Sequence, residues 1–318
     1  MNFLRSQDDP SKSRTEIVIH FGAHKTATTY FQARLARSVG PLLEGGVCFV
    51  PVSELRKKII QVRNPSSLLN MIPGVRDWRT AEIFRKYLQK AEKSNCDRLV
   101  FSEENLLGSL KKIVLSGRLY ASVDARFDRV FKGLERRPVT ALLAVRSYDT
   151  FMSAVWSQLI RQEGYQKMDE QSKARLLTVP RGWVEVVDDI IRSLPPGSKL
   201  RIWCYEDLMK LQNEIMSLFV GVKNVDSVEL VHESLLPSLT IQAMKRLENL
   251  HAQGKPTRPE DVKRVGKKFS KDKGFKTYSL WTEEERSLLV SRYEKDIAHI
   301  RKRWPDLILH APSDSNNI

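Results

Sequence analysis

The chain switches between two hydrophobic periods along its first two thirds. Short apolar, β-branched runs at Ile17–Phe21, Val47–Val50, Arg98–Phe101, Val139–Val145 and Leu200–Cys204 read as strands. Helix-period segments cover Thr28–Val39, Thr80–Lys93, Leu119–Leu134, Asp149–Gln162, Trp183–Leu194 and Asp207–Phe219. Strands that alternate with helices in this way imply a largely parallel sheet covered on both faces. The expected fold class is therefore α/β, a three-layer α/β/α sandwich around a central, mostly parallel sheet.

The C-terminal third offers no convincing strand. "LTIQAMKRLENLHAQ" and "TEEERSLLVSRYEKDIAHIRKRW" read as helices, the second opened by Thr282 with acidic residues in its first turn. "LPPGSK" is a turn and "QGKPTRPED" a loop. With no linker rich in Pro, Gly or Ser and no internal repeat, residues 15–310 read as a single domain with a helical C-terminal portion. Residues 1–14 and 311–318 read as disordered tails.

Net charge is +15, from 53 Lys and Arg against 38 Asp and Glu, which favours an anionic ligand, an acidic polymer or an anionic membrane surface. The basic residues are scattered, and clusters such as "ELRKK", "LERR" and "RVGKKFSKDK" read equally well as solvated faces. No nucleic-acid-binding motif or zinc-finger spacing accompanies them, so specific nucleic acid recognition is not expected. Cys48, Cys96 and Cys204 lie far apart with no Cys-x-x-Cys spacing. They predict neither a disulfide framework nor a metal site, and a reducing compartment is the simpler setting. The absence of a signal-like apolar run or a membrane-length segment predicts a soluble, cytoplasmic protein.

The stretch most informative about function is "GAHKTATT", where the first strand gives way to the first helix. In an open parallel sheet, ligands bind beyond the carboxyl ends of the strands. A helix N-terminus there offers unpaired N–H groups and a positive dipole end, which suit a phosphate. Lys25 adds a full charge, and Thr26, Thr28 and Thr29 add hydroxyls. A helix cap would explain one threonine but not the lysine and the whole cluster. This is P-loop-like logic without the Walker sequence: Gly22 lies only three residues ahead of Lys25, and His24 stands immediately before it.

"HKTATT" resembles the 5′-phosphosulfate-binding loop of sulfotransferases that use 3′-phosphoadenosine 5′-phosphosulfate (PAPS). That family usually carries Pro- or His-Lys-Ser/Thr-Gly-Thr-Thr, and here Ala27 replaces the common glycine. The resemblance implies that His24, Lys25, Thr26, Ala27, Thr28 and Thr29 form the loop around the 5′-phosphosulfate. Lys25 would also stabilise the leaving phosphate, with PAP (3′,5′-bisphosphoadenosine) as product.

The second phosphate of PAPS calls for another site at a strand end. Strand Val139–Val145 ends at Arg146, and Asp149, Ser153 and Ser157 share one face of the helix that follows. Arg146 and Ser153 could converge on one anion. The resemblance agrees, since sulfotransferases bind the 3′-phosphate with an Arg at a strand end and a Ser seven or eight residues on. Ser157 and Arg161 could extend the pocket.

Sulfuryl transfer also needs a base for the acceptor hydroxyl. "DRLVFSEENLLGS" places Glu103 and Glu104 just beyond the third strand. On an extended chain two adjacent carboxylates point in different directions, so one of them should face the site. Ser-x-Glu-Asn-Leu resembles a segment of bacterial-type sulfotransferases with the second acid at the matching position, which favours Glu104 over Glu103. His20 and His24 are rivals. Further along, "KLRIWCYEDL" resembles the stretch around the family's last main strand, with Glu206 and Asp207 expected to cap the next helix. "KKFSKDKGFKTYSLWTEEE" loosely resembles the basic loop that closes over the nucleotide, with Lys268, Lys273 and Gly274 as candidates.

The expected function is thus transfer of a sulfuryl group from PAPS to a hydroxyl, with a saccharide or glycolipid as acceptor by family analogy. The expected sites are catalytic Glu104 and Lys25, no metal, and peripheral contact with an anionic membrane as an additional partner. Two other readings compete: a small-molecule kinase with a variant P-loop, and a non-catalytic polyanion binder.

Overall fold

The computed structural model describes residues 15–63, 72, 74–231 and 238–311, so the expected tail at 1–14 and all but the first residue of the expected tail at 311–318 lie outside the described residues. Five strands form one parallel sheet: β1 (Glu16–Gly22), β2 (Val47–Val50), β3 (Arg98–Ser102), β4 (Val139–Val145) and β5 (Lys199–Cys204). Their order is β2-β3-β1-β4-β5, with β1 at the centre. All four pairings are parallel. The helices, in chain order, are α1 (Thr28–Arg37), α2 (Val39–Glu44), α3 (Val52–Arg63), α4 (Val75–Lys93), α5 (Leu110–Ser116), α6 (Val123–Gly133) and α7 (Tyr148–Glu163). They continue with α8 (Glu170–Thr178), α9 (Trp183–Ser193), α10 (Leu208–Val220), α11 (Ile241–Ala252), α12 (Pro259–Lys268) and α13 (Glu283–Arg303).

The period of two along each strand divides the interior into two cores. Ile17, Ile19 and Phe21 face one layer together with Leu99, Phe101, Leu143 and Val145; α3 to α9 and α11 to α13 pack there. Val18, Val100, Leu142, Ala144 and Trp203 face the other, covered by α1, α2 and α10. This is the three-layer α/β/α arrangement that the alternating periods imply.

Four helices, α2, α3, α5 and α8, are additions to the expected set; their apolar stripes are short or interrupted by charge. The "QGKPTRPED" stretch is not all loop: Pro259 opens α12 at the first helical position, where a missing N–H costs nothing. The helix expected from Leu119 begins only at Val123, because Tyr120 has φ 43°. Thr282 does open α13, through a reciprocal capping box with Glu285.

The cysteine expectation is also corrected: Cys48 and Cys96 are joined as a disulfide, with Cα atoms 6.1 Å apart. Forty-eight residues separate them in sequence. However, β2 and β3 are neighbours, and Cys48 lies opposite Leu99, three residues past Cys96. Among the described residues no helix is long and apolar enough to cross a membrane.

Candidate active site

The groups that follow the strands in sequence meet at the carboxyl edge of the sheet. Following β1, β3, β4 and β5, the chain places Lys25, Glu104, Arg146 and Tyr205 around one cavity of about 1310 Å³. It lies where binding sites of open parallel sheets are found.

The loop after β1 has an unusual backbone. Pairing between β1 and β4 slips between His20 and Gly22, a bulge immediately ahead of the loop. Gly22 takes φ +91°, and a Cβ there would lie 2.9 Å from Glu104 Cβ, so only glycine lets the two strand ends approach this closely. Lys25 and Ala27 both adopt left-handed φ, 61° and 62°. Left-handed residues at alternate positions curl a chain so that its N–H groups can converge, the geometry of an anion nest. The value at Ala27 gives a physical reason why the resembled loops carry glycine there.

The loop's side chains divide the work. Thr26 and Thr28 both donate to the Ala23 carbonyl, at 2.6 and 3.1 Å, and both are buried. Both hydroxyls lock the turn; Thr26 stands outside the cavity lining, whereas Thr28 is part of it. Thr29 lines the cavity. Lys25 Nζ also lies at the wall, 3.5 Å from Gln158 Oε1. Burial pushes the Lys25 ammonium down to about 8, and the Arg161 and Arg146 charges push in the same direction. Burial likewise lowers both guanidinium groups.

His24 is held at both ring nitrogens. Asn105 Nδ2 donates to Glu103 Oε1 at 2.7 Å, which leaves Asn105 Oδ1 facing His24 Nε2 at 3.3 Å. His24 Nε2 must then carry the proton, and Nδ1 accepts from the Tyr120 hydroxyl at 3.0 Å. The Tyr120 oxygen in turn accepts from the His24 backbone N–H. Burial lowers the imidazole further. A neutral His24 with both nitrogens occupied has no lone pair to offer a substrate proton. The left-handed turn at Tyr120 that delays α6 is what brings its phenol to His24. His20 is fully buried in the α1/α10 core, stacked on Trp203, and pushed by burial to about 3, so it is a core residue.

The two carboxylates after β3 point apart, as an extended chain demands. Glu103 is 1% exposed and accepts from Arg56 Nε at 2.6 Å and Nη2 at 2.9 Å, and from the Asn105 backbone. Glu104 lines the cavity, with Oε1 2.8 Å from Arg56 Nη2 and Oε2 3.2 Å from Gln32 Nε2. Burial alone would raise the Glu104 carboxyl. The Arg56 charge and its hydrogen bond act against burial, and the group is held below the ordinary glutamate range.

Arg146 also lines the cavity. Its Nη1 donates to the Lys25 carbonyl at 2.6 Å and its Nε to Thr150 Oγ1 at 3.0 Å, while the guanidinium lies over the Tyr205 ring at 4.4 Å. Ser153 is not brought to the same point. Its buried hydroxyl donates to the Asp149 carbonyl at 2.8 Å and accepts from Leu280 N–H at 3.1 Å, tying α7 to the segment before α13. Ser157 is buried with its hydroxyl unpartnered and stands outside the lining. Neither Lys268, Lys273 nor Gly274 lines the cavity, but Lys271 from the same basic stretch does. Glu206 does not cap α10; it accepts from Ser147 N–H and Tyr293 hydroxyl, joining the β4 and β5 ends to α13. Asp207 occupies the α10 cap position, but its side chain makes no capping hydrogen bond there.

Sequence reasoning missed Arg56, Gln32, Asn105 and Tyr120. The signal for Arg56 was present in "ELRKK" but looked like a solvated face, and only the packing of α3 beside β3 reveals its partners.

Among the described residues no group of three or more His, Cys, Asp or Glu side chains could hold a metal ion. Compared with known proteins, the chain matches no family model, no curated protein and no solved structure.

Proposed function

We propose that the protein is a PAPS-dependent sulfotransferase acting on a hydroxyl of a saccharide or glycolipid. One observation carries the reading: Lys25, in a loop with alternating left-handed residues, shares a partly buried cationic cluster with Arg146 and Arg161, and Glu104 stands across the same cavity. Burial and the neighbouring guanidinium charges lower the Lys25 ammonium, and a bound anion would act against both.

The residues fit the donor at its phosphosulfate end. Lys25, Thr29 and the loop N–H groups would hold it, and Arg146 would meet the 3′-phosphate through Nη2, its nitrogen with no hydrogen bond among the described residues. Ser153, as placed, would have to give up its Leu280 bond to take part. PAPS supplies an activated sulfuryl group and a stable leaving phosphate. The acceptor oxygen forms a new S–O bond while the bridging phosphate oxygen departs with the electron pair of the old one. The hydroxyl proton passes to Glu104, and Lys25 neutralises charge on the leaving oxygen, an electrostatic role of the kind that dominates such transfers.

The acceptor half of the cavity supports the saccharide assignment. Its lining includes Asn105, Ser109, Gln158 and Gln162, whose amides and hydroxyl suit a polyol, interspersed with Leu110 and Leu159. The described aromatic lining residues, Tyr30 and Tyr205, belong to the α1 and β5 ends instead. A phenol or steroid would call for more apolar walls.

The kinase reading is weakened by Thr26. In a Walker loop the hydroxyl after the lysine serves Mg²⁺, whereas here it is buried and bonded to Ala23. A cytoplasmic setting remains part of the proposal, and the Cys48–Cys96 bond is the observation that weighs against it.

The test is incubation of purified protein with PAPS and a panel of neutral and acidic saccharides, following PAP release and sulfated product. Sulfated saccharide with stoichiometric PAP is expected. If no acceptor releases PAP above the buffer rate and PAP itself does not bind, the reading fails.

A further inference from the structure

We propose that Arg56 is the positioning residue of the base: its paired bonds to buried Glu103 fix the guanidinium plane, and its remaining Nη2 hydrogen holds the Glu104 carboxylate in place at the cavity wall. The word base rests on the sulfotransferase reading; the hold on Glu104 rests on geometry alone.

Three hydrogen bonds of 2.6, 2.9 and 2.8 Å join one guanidinium to two carboxylates adjacent in sequence. Glu103 is anchored independently, by the Asn105 backbone N–H at 2.9 Å and the Asn105 side chain at 2.7 Å. It therefore serves as the fixed end of the clamp. Side-chain exposure falls in the order Arg56 38%, Glu104 16%, Glu103 2%, so the inner carboxylate is structural and the outer one reaches substrate space. Only a planar fork presents Nε–H and Nη2–H side by side to one carboxylate and a second Nη2–H to another; an ammonium cannot. Gln32 holds the other Glu104 oxygen from α1, so the carboxylate is fixed between two layers of the fold.

The arrangement has an electrostatic consequence. The groups facing Glu104 are Arg56 from α3, His20 from β1, His24 and Lys25 from the loop, Tyr120 ahead of α6, and the neighbouring Glu103. His20 and His24 are neutral by burial, and burial holds the Tyr120 phenol protonated. Arg56 is thus the fixed cation in direct contact with Glu104. It keeps the carboxylate ionised at neutral pH despite burial and the adjacent Glu103.

The experiment is a ¹³C NMR titration of side-chain carboxyls in glutamate-labelled full-length protein, with Glu104→Gln to assign the resonance. It is repeated in Arg56→Met and in Arg56→Gln, which keeps polar contacts should Met not fold. In wild type, Glu104 should titrate below the ordinary glutamate value. In either variant its midpoint should rise by about one pH unit or more, a tenfold change in proton affinity, while PAP affinity changes less than threefold. With a saccharide acceptor, the acid limb of kcat should move upward by the same interval, which a purely structural role would not produce. A Glu104 midpoint unmoved in a folded variant overturns the proposal. A midpoint that moves in a protein without PAPS turnover upholds the clamp and refutes the sulfotransferase reading, so the two failures are distinct.

Discussion

Two adjacent strand ends of the same sheet treat charge in opposite ways. Beyond β1, Lys25 is pressed down to about 8 by burial and by the neighbouring Arg161 and Arg146 charges. Beyond β3, Glu103 and Glu104 share the one guanidinium of Arg56. The first region holds more positive charge than the fold wants, and an incoming anion would relieve it. In the second, each carboxylate already has a hydrogen-bonded cation without any ligand. Binding sites commonly store such strain, whereas supporting structure satisfies its own groups.

The sharpest break of this comparison is Glu104→Gln, which should leave PAP affinity within threefold of wild type but cut turnover by roughly 10²–10⁴-fold, the usual worth of a general base. Steady-state kinetics beside calorimetry checks it, and equal loss of both would merge the two regions into one. Next in size is a contrast of sign. Lys25→Met should weaken PAP by about 100-fold, the loss of one charged contact worth up to roughly 3 kcal/mol. The same variant should melt higher than wild type at neutral pH, because it removes a cation the fold holds unwillingly. Removing Arg56 instead leaves the buried Glu103 without its counter-charge, and should cost roughly 3 kcal/mol. Thermal melts of Lys25→Met and Arg56→Met that shift the same way would undo the distinction.

A smaller effect comes from pH. The Lys25 pKa lies below its ordinary 10.5, at about 8, so the unfolded chain holds this proton more tightly between those values. Its contribution to stability therefore rises with pH across that window. Binding runs the other way: PAP affinity should fall roughly tenfold per pH unit above 8 as Lys25 loses its charge, with proton uptake on binding. Calorimetry in buffers of different ionisation enthalpy measures both, and a flat affinity from pH 7 to 9.5 would remove Lys25 from the anion site. The smallest expected effect is at Ala27. A left-handed alanine costs about 1–2 kcal/mol, partly offset by the flexibility glycine brings to the unfolded chain. Ala27→Gly should stabilise the protein by a few tenths to about 1 kcal/mol with PAP affinity unchanged or improved, read by denaturant melts.

The strands were legible because their apolar residues are consecutive and β-branched; each lies within a residue of its expected bounds, as at Val139–Val145. The charge-rich helices α3 and α12 were not, since their apolar stripes depend on neighbours that sequence does not reveal. At the site, Lys25, Glu104 and Arg146 were readable from their places after strands. The roles of Thr26 and Ser153 were not, because a hydroxyl's partner is chosen by packing: Thr26 turned to Ala23 and Ser153 to Leu280. Arg56 was hidden for the same reason, 47 residues from its first partner. The Cys48–Cys96 pair shows the same limit, since strand order alone makes those residues neighbours.

The most direct test of the central claim is calorimetric titration of wild type and Lys25→Ala with PAP and, separately, with ATP and Mg²⁺. The account predicts tight binding of PAP by wild type, loss of about 100-fold in the variant, and weak binding of Mg·ATP. Preference for Mg·ATP, or PAP binding indifferent to Lys25, would contradict it.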